Sequence, residues 1–290
     1  MSVPISINLA TSGITPAELI KRAQLVERAG FDAITVSDPD LQSLAATEIA
    51  AFIAPHTQNV GILVEVDIAL NEPFYAAIQL ATVDHISGGR AGWLVQARDD
   101  DKSARAYGRA TPSPQRIVEE IRDGIDVVRR LWDSWEDDAV IRNVATGRYL
   151  DRSKVHNVNF TGAHYSIASA SIVPRSPQGR LPIIVPTKFD DIEVYSNEDI
   201  VKVASIDADL SAADSAKKLI SEIRDLAGKQ QLIRLVPSVF ERDVRTLSTD
   251  VLPALRDEGL VTETRAGTTL RNQLGLGEAI NLYEHIGDVR

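Results

Sequence analysis

The strongest constraint in this sequence is a change of period. Residues 72–87 read as an apolar helical run, Ser87-Gly88-Gly89 breaks it, and residues 90–95 resume as a short apolar strand carrying Trp93. Glycine permits the left-handed backbone that ends a helix, so one element stops and the next begins at once. A helix handing over so directly to a buried strand is part of a repeating α/β unit, in which chemistry is expected just beyond the strand.

The same alternation fills the N-terminal part of the chain. Residues 3–9 are a β-branched run with Pro4 near its start, as suits a first strand. Thr15, Pro16 and Glu18 supply a cap, a first helical position and a capping-box partner, and Leu19, Ala23, Val26 and Ala29 share one face before Gly30. Residues 33–37 and 60–66 read as further strands around a helix over 41–53, and Pro73 opens the helix that reaches the Gly-Gly break. These strands are apolar throughout rather than alternating, the pattern of a parallel sheet covered on both faces. A (β/α) barrel and a doubly wound sheet both satisfy it. No G-x-G-x-x-G follows any strand, which disfavours a dinucleotide site of the Rossmann kind.

Residues 113–135 form the longest helical pattern, with Ile117, Ile121, Ile125, Val128 and Trp132 on one face. Residues 136–180 lose that periodicity, are rich in Gly, Asn, Ser and Pro, and contain a predicted hairpin over 158–160 and 164–167. Strands resume at 181–185 and 199–204 with only a weak helical pattern between them. Ser211 is expected to cap a helix reaching Ala227, residues 232–239 make a seventh strand, and 243–258 a last helix before Gly259. The expected fold is therefore α/β: a TIM-type (β/α) barrel with seven legible strands, no visible eighth, and an excursion at 136–180 after the fourth βα unit, all in one domain over 1–290. Residues 259–290 read as an arm packed on the body or on a second subunit.

Composition narrows the chemistry. With 290 residues, 44% hydrophobic and 25% charged, the chain can bury one large core. A net charge of -10 without a basic cluster argues against a nucleic-acid partner, which needs a cationic face. The absence of cysteine rules out disulfides, thiolate metal sites and a cysteine nucleophile. His56, His85, His156, His164 and His285 lack metal-ligand spacing, and no G-x-S-x-G elbow is present. No run approaches the roughly 18 apolar residues of a membrane span, and the start lacks a signal-peptide pattern, so a cytoplasmic location is the expectation.

Candidate site residues follow from strand parity. Asp38 ends the second strand, where barrel enzymes place functional groups, although a cap or turn before Pro39 uses the same residue. Leu63, Glu65 and Asp67 share one strand face, as do Leu94, Gln96 and Arg98. With those faces inward, Glu65, Asp67, Gln96, Arg98 and Lys188 converge at the rim. They make either a polar binding site or an ion-paired plug, since buried charges persist mainly when paired. His85 reads as structural, Trp93, Trp132 and Trp135 as core, and Arg142, Arg148, Arg152 and Arg175 as a solvated basic face, although the four could also close over a substrate.

Three separated segments carry a family resemblance: ATVDHISGGRAGW at 81–93, LWDSWEDD at 131–138 and VPRSPQGR at 173–180. In this order they resemble the bacterial luciferase-like flavin monooxygenases, and within them the branch of nitrilotriacetate and dibenzothiophene-sulfone monooxygenases. ERAGFD at 27–32 and GTTLR at 267–271, continuing to Leu274-Gly275-Leu276, are similar to that branch as well. The resemblance implies a TIM-type barrel, reduced FMN at the C-terminal ends of the strands, oxygen activation on a small organic substrate, a separate flavin reductase and a homo-oligomer. It makes Asp38, Glu65, Gln96, Arg98 and Lys188 the residues expected to line the flavin pocket. In such enzymes the cofactor carries the hard chemistry, and the protein positions it and excludes water.

The departures from that family pattern fall on the positions that touch flavin. Where the family follows Gly-Trp with Asn and a Val-Thr-Ser run, this chain has Leu94-Val95-Gln96-Ala97-Arg98. The Arg-Tyr pair that opens the long helix is Arg116-Ile117, and the Gln-Ala-Gly and serine-rich phosphate turn is Pro186-Thr187-Lys188-Phe189-Asp190-Asp191. The chain is also shorter than that branch, mostly after the fifth strand. Two readings result: an FMNH2-dependent monooxygenase with a modified pocket, or a site-degenerate homologue acting as a partner subunit or binding another ligand; a deazaflavin enzyme of the same family shares the fold but fits these signatures less well.

Overall fold

Each strand of the barrel finds parallel partners on both sides. The computed structural model describes residues 2–37, 44–189, 192, 198–261 and 266–283. In chain order the elements begin β1 (Ile5–Asn8), α1 (Pro16–Ala29), β2 (Ala33–Val36), α2 (Ala46–Ile53), β3 (Gly61–Asp67), α3 (Pro73–Ser87), β4 (Ala91–Gln96), α4 (Asp101–Ala106) and α5 (Pro114–Asp133). Two short hairpins follow, β5 (Val140–Asn143) with β6 (Arg148–Leu150) and β7 (Phe160–Thr161) with β8 (Ser166–Ile167). The barrel then resumes with β9 (Ile183–Pro186), β10 (Ile200–Ala208), α6 (Ser215–Leu226) and β11 (Leu232–Pro237), and ends in α7 (Phe240–Thr246), α8 (Leu252–Asp257) and α9 (Leu270–Gln273).

The order around the barrel is β1-β11-β10-β9-β4-β3-β2, with Ile7 of β1 opposite both Leu235 and Ile34, which closes the ring with seven strands. Closure selects the barrel over the doubly wound sheet. Between β9 and β10 the described chain has only a 3-10 turn (Thr187–Phe189), and the nine-residue β10 pairs directly with β9 and β11.

Local chemistry explains most boundaries. Thr15 and Glu18 form the expected capping box, the Thr15 N–H donating to Glu18 Oε2 at 2.8 Å and the Glu18 N–H to Thr15 Oγ at 3.3 Å. Gly88 and Gly89 have φ of 67° and 87°, so the break after α3 uses the backbone freedom expected of it. Two elements are added to the expected set and two expectations change. Helix α4 is too short to show a period and is set by Asp100, whose Oδ1 accepts the Ser103 N–H at 2.8 Å. The β5–β6 hairpin is largely exposed and so carries no burial pattern. Helix α6 starts at Ser215 with Asp214 at its N-cap, so Ser211 is not the cap. The last long helix starts at Phe240 and passes through a π-helical turn (Leu247–Val251) before α8.

Strand parity divides the core. Outward residues such as Ile34, Ile62, Val64, Trp93, Ile233 and Leu235 pack under the helices. Inward residues Ala33, Leu63, Leu94, Ile184, Val201, Val203 and Leu232 form a separate apolar layer, sealed from below by Leu270 of α9. Gly61 and Gly92 make room for that seal. A Cβ on Gly61 would lie 2.6 Å from Leu270 Cδ1, and one on Gly92 would lie 2.8 Å from Leu63 Cδ2 and 3.0 Å from Leu270 Cδ2. Trp93, Trp132 and Trp135 are core residues, each indole N–H donating to a carbonyl, of Val66, Ala77 and Ser171 respectively.

Around Leu270 the separated signature segments meet in one buried polar network at the N-terminal ends of the strands. Asp84 Oδ1 accepts from Gln178 Nε2 at 2.6 Å, and Gln178 Oε1 accepts the Arg271 N–H at 2.8 Å. Arg271 Nη1 donates to Asp199 Oδ1 at 2.6 Å, and Asp199 Oδ2 accepts from Arg180 Nε at 2.8 Å and Arg129 Nε at 2.9 Å. Arg180 Nη1 continues to Asp133 Oδ2 at 2.7 Å. Burial alone would push Asp199 up, yet Arg180, Arg271 and Arg129 hold it below the usual carboxylate range. Arg175 belongs here too, paired with Asp133 and with Asp137 at 2.7 Å, its side chain only 3% exposed. The reading of Arg175 as part of a solvated basic face is thus corrected. The described arm lies on its own body: Asn281 Nδ2 donates to the Asp133 and Trp135 carbonyls, and Tyr283 stacks on His156 at 4.0 Å.

Candidate functional site

Above the apolar layer the inward positions become polar. Asn8, Thr35 and Ser37 come from the first two strands, Glu65 and Asp67 from β3, and Gln96 and Arg98 from the end of β4. Arg234 comes from β11, on the same face as Leu232. This is the C-terminal end of the strands, where barrel enzymes assemble their sites.

Arg234 reaches across the barrel. Its Nη2 donates to Ser37 Oγ at 2.7 Å and Asn8 Oδ1 at 3.3 Å, its Nε donates to Thr35 Oγ at 3.2 Å, and Glu65 Oε2 lies 3.9 Å away. Glu65 Oε1 lies 3.9 Å from Arg98 Nη2, and Asp67 Oδ2 lies 3.9 Å from Arg98 Nε. Burial lowers Arg234, Glu65 opposes the shift, and a guanidinium stays protonated throughout. Lys188 Nζ donates to Gln96 Oε1 at 2.8 Å; burial pulls this ammonium below its ordinary value although Glu65, Asp99 and Asp67 favour the charged form.

Asp67 ties two loops together. Its Oδ1 accepts the Ala69 and Leu70 N–H groups and its Oδ2 the Arg98 N–H, each at 2.9 Å. Burial pushes this carboxyl up to about 6, against the pull of those N–H donors and of the Arg98 charge. A cleft of about 160 Å³ opens beside Glu65, Asp67 and Arg98, towards Glu48, Tyr75 and Tyr107.

The residues expected at the rim are therefore brought together in two groups: Arg98 pairs with Glu65 and Asp67, and Lys188 donates to Gln96. Asp38 lies outside the described residues. Arg234 is the residue that strand reading missed, although its parity with Leu232 in LIRLVP pointed inward. His85 is structural, its Nε2 3.1 Å from the Pro174 carbonyl. Among the described residues no His/Asp/Glu group could hold a metal ion, and no helix is long and apolar enough to cross a membrane.

The described lining does not form a cradle for FMN. The isoalloxazine ring needs flat space over the strand ends, where the Arg234 guanidinium and its partners stand. The cleft of about 160 Å³ is well under the ~300–1,000 Å³ of organic ligand pockets. A phosphate dianion needs unspent N–H donors, whereas Lys188 is already bonded to Gln96 and sits among Glu65, Asp67 and Asp99.

Comparison with known proteins places this geometry. A family profile described as luciferase-like monooxygenase matches residues 2–187. The chain is 35% identical over 156 residues to nitrilotriacetate monooxygenase component A of Aminobacter aminovorans, covering 53% of this chain and 34% of that protein. It is similar to two different subunits of the pristinamycin IIA synthase of Streptomyces pristinaespiralis. One is 30% identical over 194 residues, covering 64% of each chain, and the other is 29% identical over 183 residues, covering 56% of this chain and 38% of its own. These alignments span from about a third to just under two thirds of the relatives' own length. The crystal structure of a long-chain alkane monooxygenase superposes with a TM-score of 0.78 at 16% identity, covering 95% of this chain and 96% of that one, a likeness of fold. With the profile matching more than half of the chain and the barrel in place, this chain belongs to the luciferase-like monooxygenase family.

Proposed function

We propose that this chain keeps the family's barrel without holding a flavin in it, and serves as the companion subunit of a flavin-dependent oxygenase whose other subunit is a second luciferase-like chain. The observation that carries this reading is Arg234, which fills the space above the apolar layer through Asn8, Thr35 and Ser37 and faces Glu65. Similarity to two different subunits of one synthase supports the two-chain arrangement. The test is a titration of FMN, oxidised and reduced, followed by absorbance and fluorescence. No saturable binding up to about 1 mM is expected; saturation within that range removes this reading. A tagged chain recovered from its native cells should also bring with it a second luciferase-like chain that carries flavin.

A second reading draws on the family match over residues 2–187 and on the open cleft beside Arg98. In it the chain is itself an FMNH2-dependent monooxygenase acting on a small organic substrate, supplied by a flavin reductase and self-associating in the cytoplasm as one domain. Asp38, Glu65, Gln96, Arg98 and Lys188 would line its modified pocket. Substrate-dependent oxygen uptake in the presence of FMN, NADH and a flavin reductase decides for it.

A further inference from the structure

Two apolar surfaces of this chain stand open to solvent, and they differ in shape and in charge. The first is concave. Helix α3 is apolar on both faces: Ala77, Leu80 and Val83 are buried, yet Tyr75 and Ile86 are exposed, whereas a helix apolar all round is ordinarily covered on every side. Between α2 and α3 lies a groove of about 350 Å³, walled by Ala51, Ile78, Val83, Ile172 and Val173, with Ile172 69% exposed at its rim. Among the described residues its one charged wall residue is Glu48, which accepts from Thr47 Oγ at 2.9 Å and Gln79 Nε2 at 3.5 Å and pairs with no cation. Residues 29–89 contain no lysine or arginine although the chain has 31, so neither helix supplies one.

The second surface is convex. The β5–β6 hairpin is exposed throughout residues 141–149, and Val144, between its strands, is 95% exposed, with Ile141 and Tyr149 exposed on the strands themselves. A two-stranded hairpin with nothing packed on it is marginal in water. Residues 140–154 carry Arg142, Arg148, Arg152 and Lys154 against one carboxylate, Asp151, in a chain whose net charge is -10. Arg148 faces Asp151 and Lys154 pairs with Asp138, which leaves Arg142 and Arg152 without a carboxylate among the described residues.

Each surface has what the other lacks. The groove needs an apolar insert and a cation for Glu48, and the hairpin carries both. Interface cores are apolar and poor in unpaired charge, while opposite charges fix the register. Packing two such grooves face to face would bring Glu48 towards its own copy with no cation from either helix, so charge disfavours that arrangement. We infer that the β5–β6 hairpin of one copy docks in the α2–α3 groove of a second copy, reciprocally about a two-fold axis, with Val144 inserted between the helices and Arg142 facing Glu48. The exchange covers both surfaces in both copies, as an isologous interface requires. It stands whichever flavin reading applies, because shape and charge rather than a cofactor select it.

Sedimentation velocity of the full chain between about 1 and 100 µM tests the pairing. An equilibrium of monomer and dimer with a Kd below about 20 µM is expected. Val144→Asp, Glu48→Arg and Arg142→Glu, all at exposed positions where the fold tolerates them, should each weaken the dimer at least about tenfold. Combining Glu48→Arg with Arg142→Glu restores opposite charges across the interface and should recover most of the affinity. A chain that stays monomeric over this range overturns the inference, including one that associates only with a different luciferase-like chain. A dimer indifferent to Val144→Asp, as when the α2–α3 faces of two copies pack directly on each other, overturns it too. So does a double variant no tighter than either single charge variant. FMN is absent from every arm, so the outcome is separate from that of the flavin titration.

Discussion

Arg234 and Glu65 face each other across the upper barrel, Nη2 and Oε2 3.9 Å apart, on strands that β1 and β2 separate. The pair stands where the barrel would otherwise be open. Removing one buried partner leaves the other charge without compensation, whereas replacing both by apolar groups is close to neutral. Arg234→Met is therefore expected to lower stability by about 3 kcal/mol, and Arg234→Met with Glu65→Leu to recover most of it. Urea denaturation of both single variants and the double variant measures this coupling. Additive losses would show that the two charges act independently.

At the opposite end, Asp199 receives Arg129, Arg180 and Arg271 together. Asp199→Asn should destabilise by about 3–5 kcal/mol, since three guanidinium groups lose a buried counter-charge at once. Urea denaturation of the native chain and the variant in parallel measures this loss, and an unchanged stability would show that the three guanidinium groups do not rely on Asp199.

The same two ends show what the sequence could reveal. Alternating patterns and the Gly88-Gly89 break made the barrel legible, because a period is a local property. Parity placed Glu65, Asp67, Gln96 and Arg98 on inward faces for the same reason. Arg234 obeyed that parity but stood in an apolar strand otherwise read only for burial, so its reach to residues 8, 35 and 37 went unseen. The Asp84–Gln178–Arg271 chain joins residues far apart in sequence and has no period at all. Those signature segments proved to be a floor, so they report ancestry and stability rather than chemistry at the mouth.

Gly92 and Leu270 give a packing prediction. A methyl group on Gly92 would press on Leu63 and Leu270, at 2.8 Å and 3.0 Å. Gly92→Ala should cost about 1–3 kcal/mol in the native chain. Leu270→Ala alone should cost about 2–5 kcal/mol through the cavity it leaves. In the double variant the added methyl fills part of that cavity, so the two losses should sum to more than the measured one. Strict additivity would mean that the β4 backbone, rather than the Leu270 side chain, absorbs the strain.

Asp67 gives the chain a dependence on pH whose sign is fixed by burial. Its carboxyl is raised from 3.8 to about 6 in the folded state, so between those values the native chain binds a proton that the unfolded chain has released. The stabilisation tied to that proton is complete below about pH 4 and is lost as pH rises through about 6. Raising the carboxyl from 3.8 to about 6 corresponds to about 3 kcal/mol. Asp67→Asn cannot titrate, and it is less stable overall because an amide NH2 faces the backbone N–H groups that the carboxylate accepted. The advantage of the native chain over Asp67→Asn should therefore shrink by up to about 3 kcal/mol between pH 4 and pH 7. Paired urea denaturation curves across that interval measure it. An advantage that grows with pH would instead mean that the three N–H bonds and Arg98 outweigh burial, and that the carboxylate, not the acid, is the form the fold prefers.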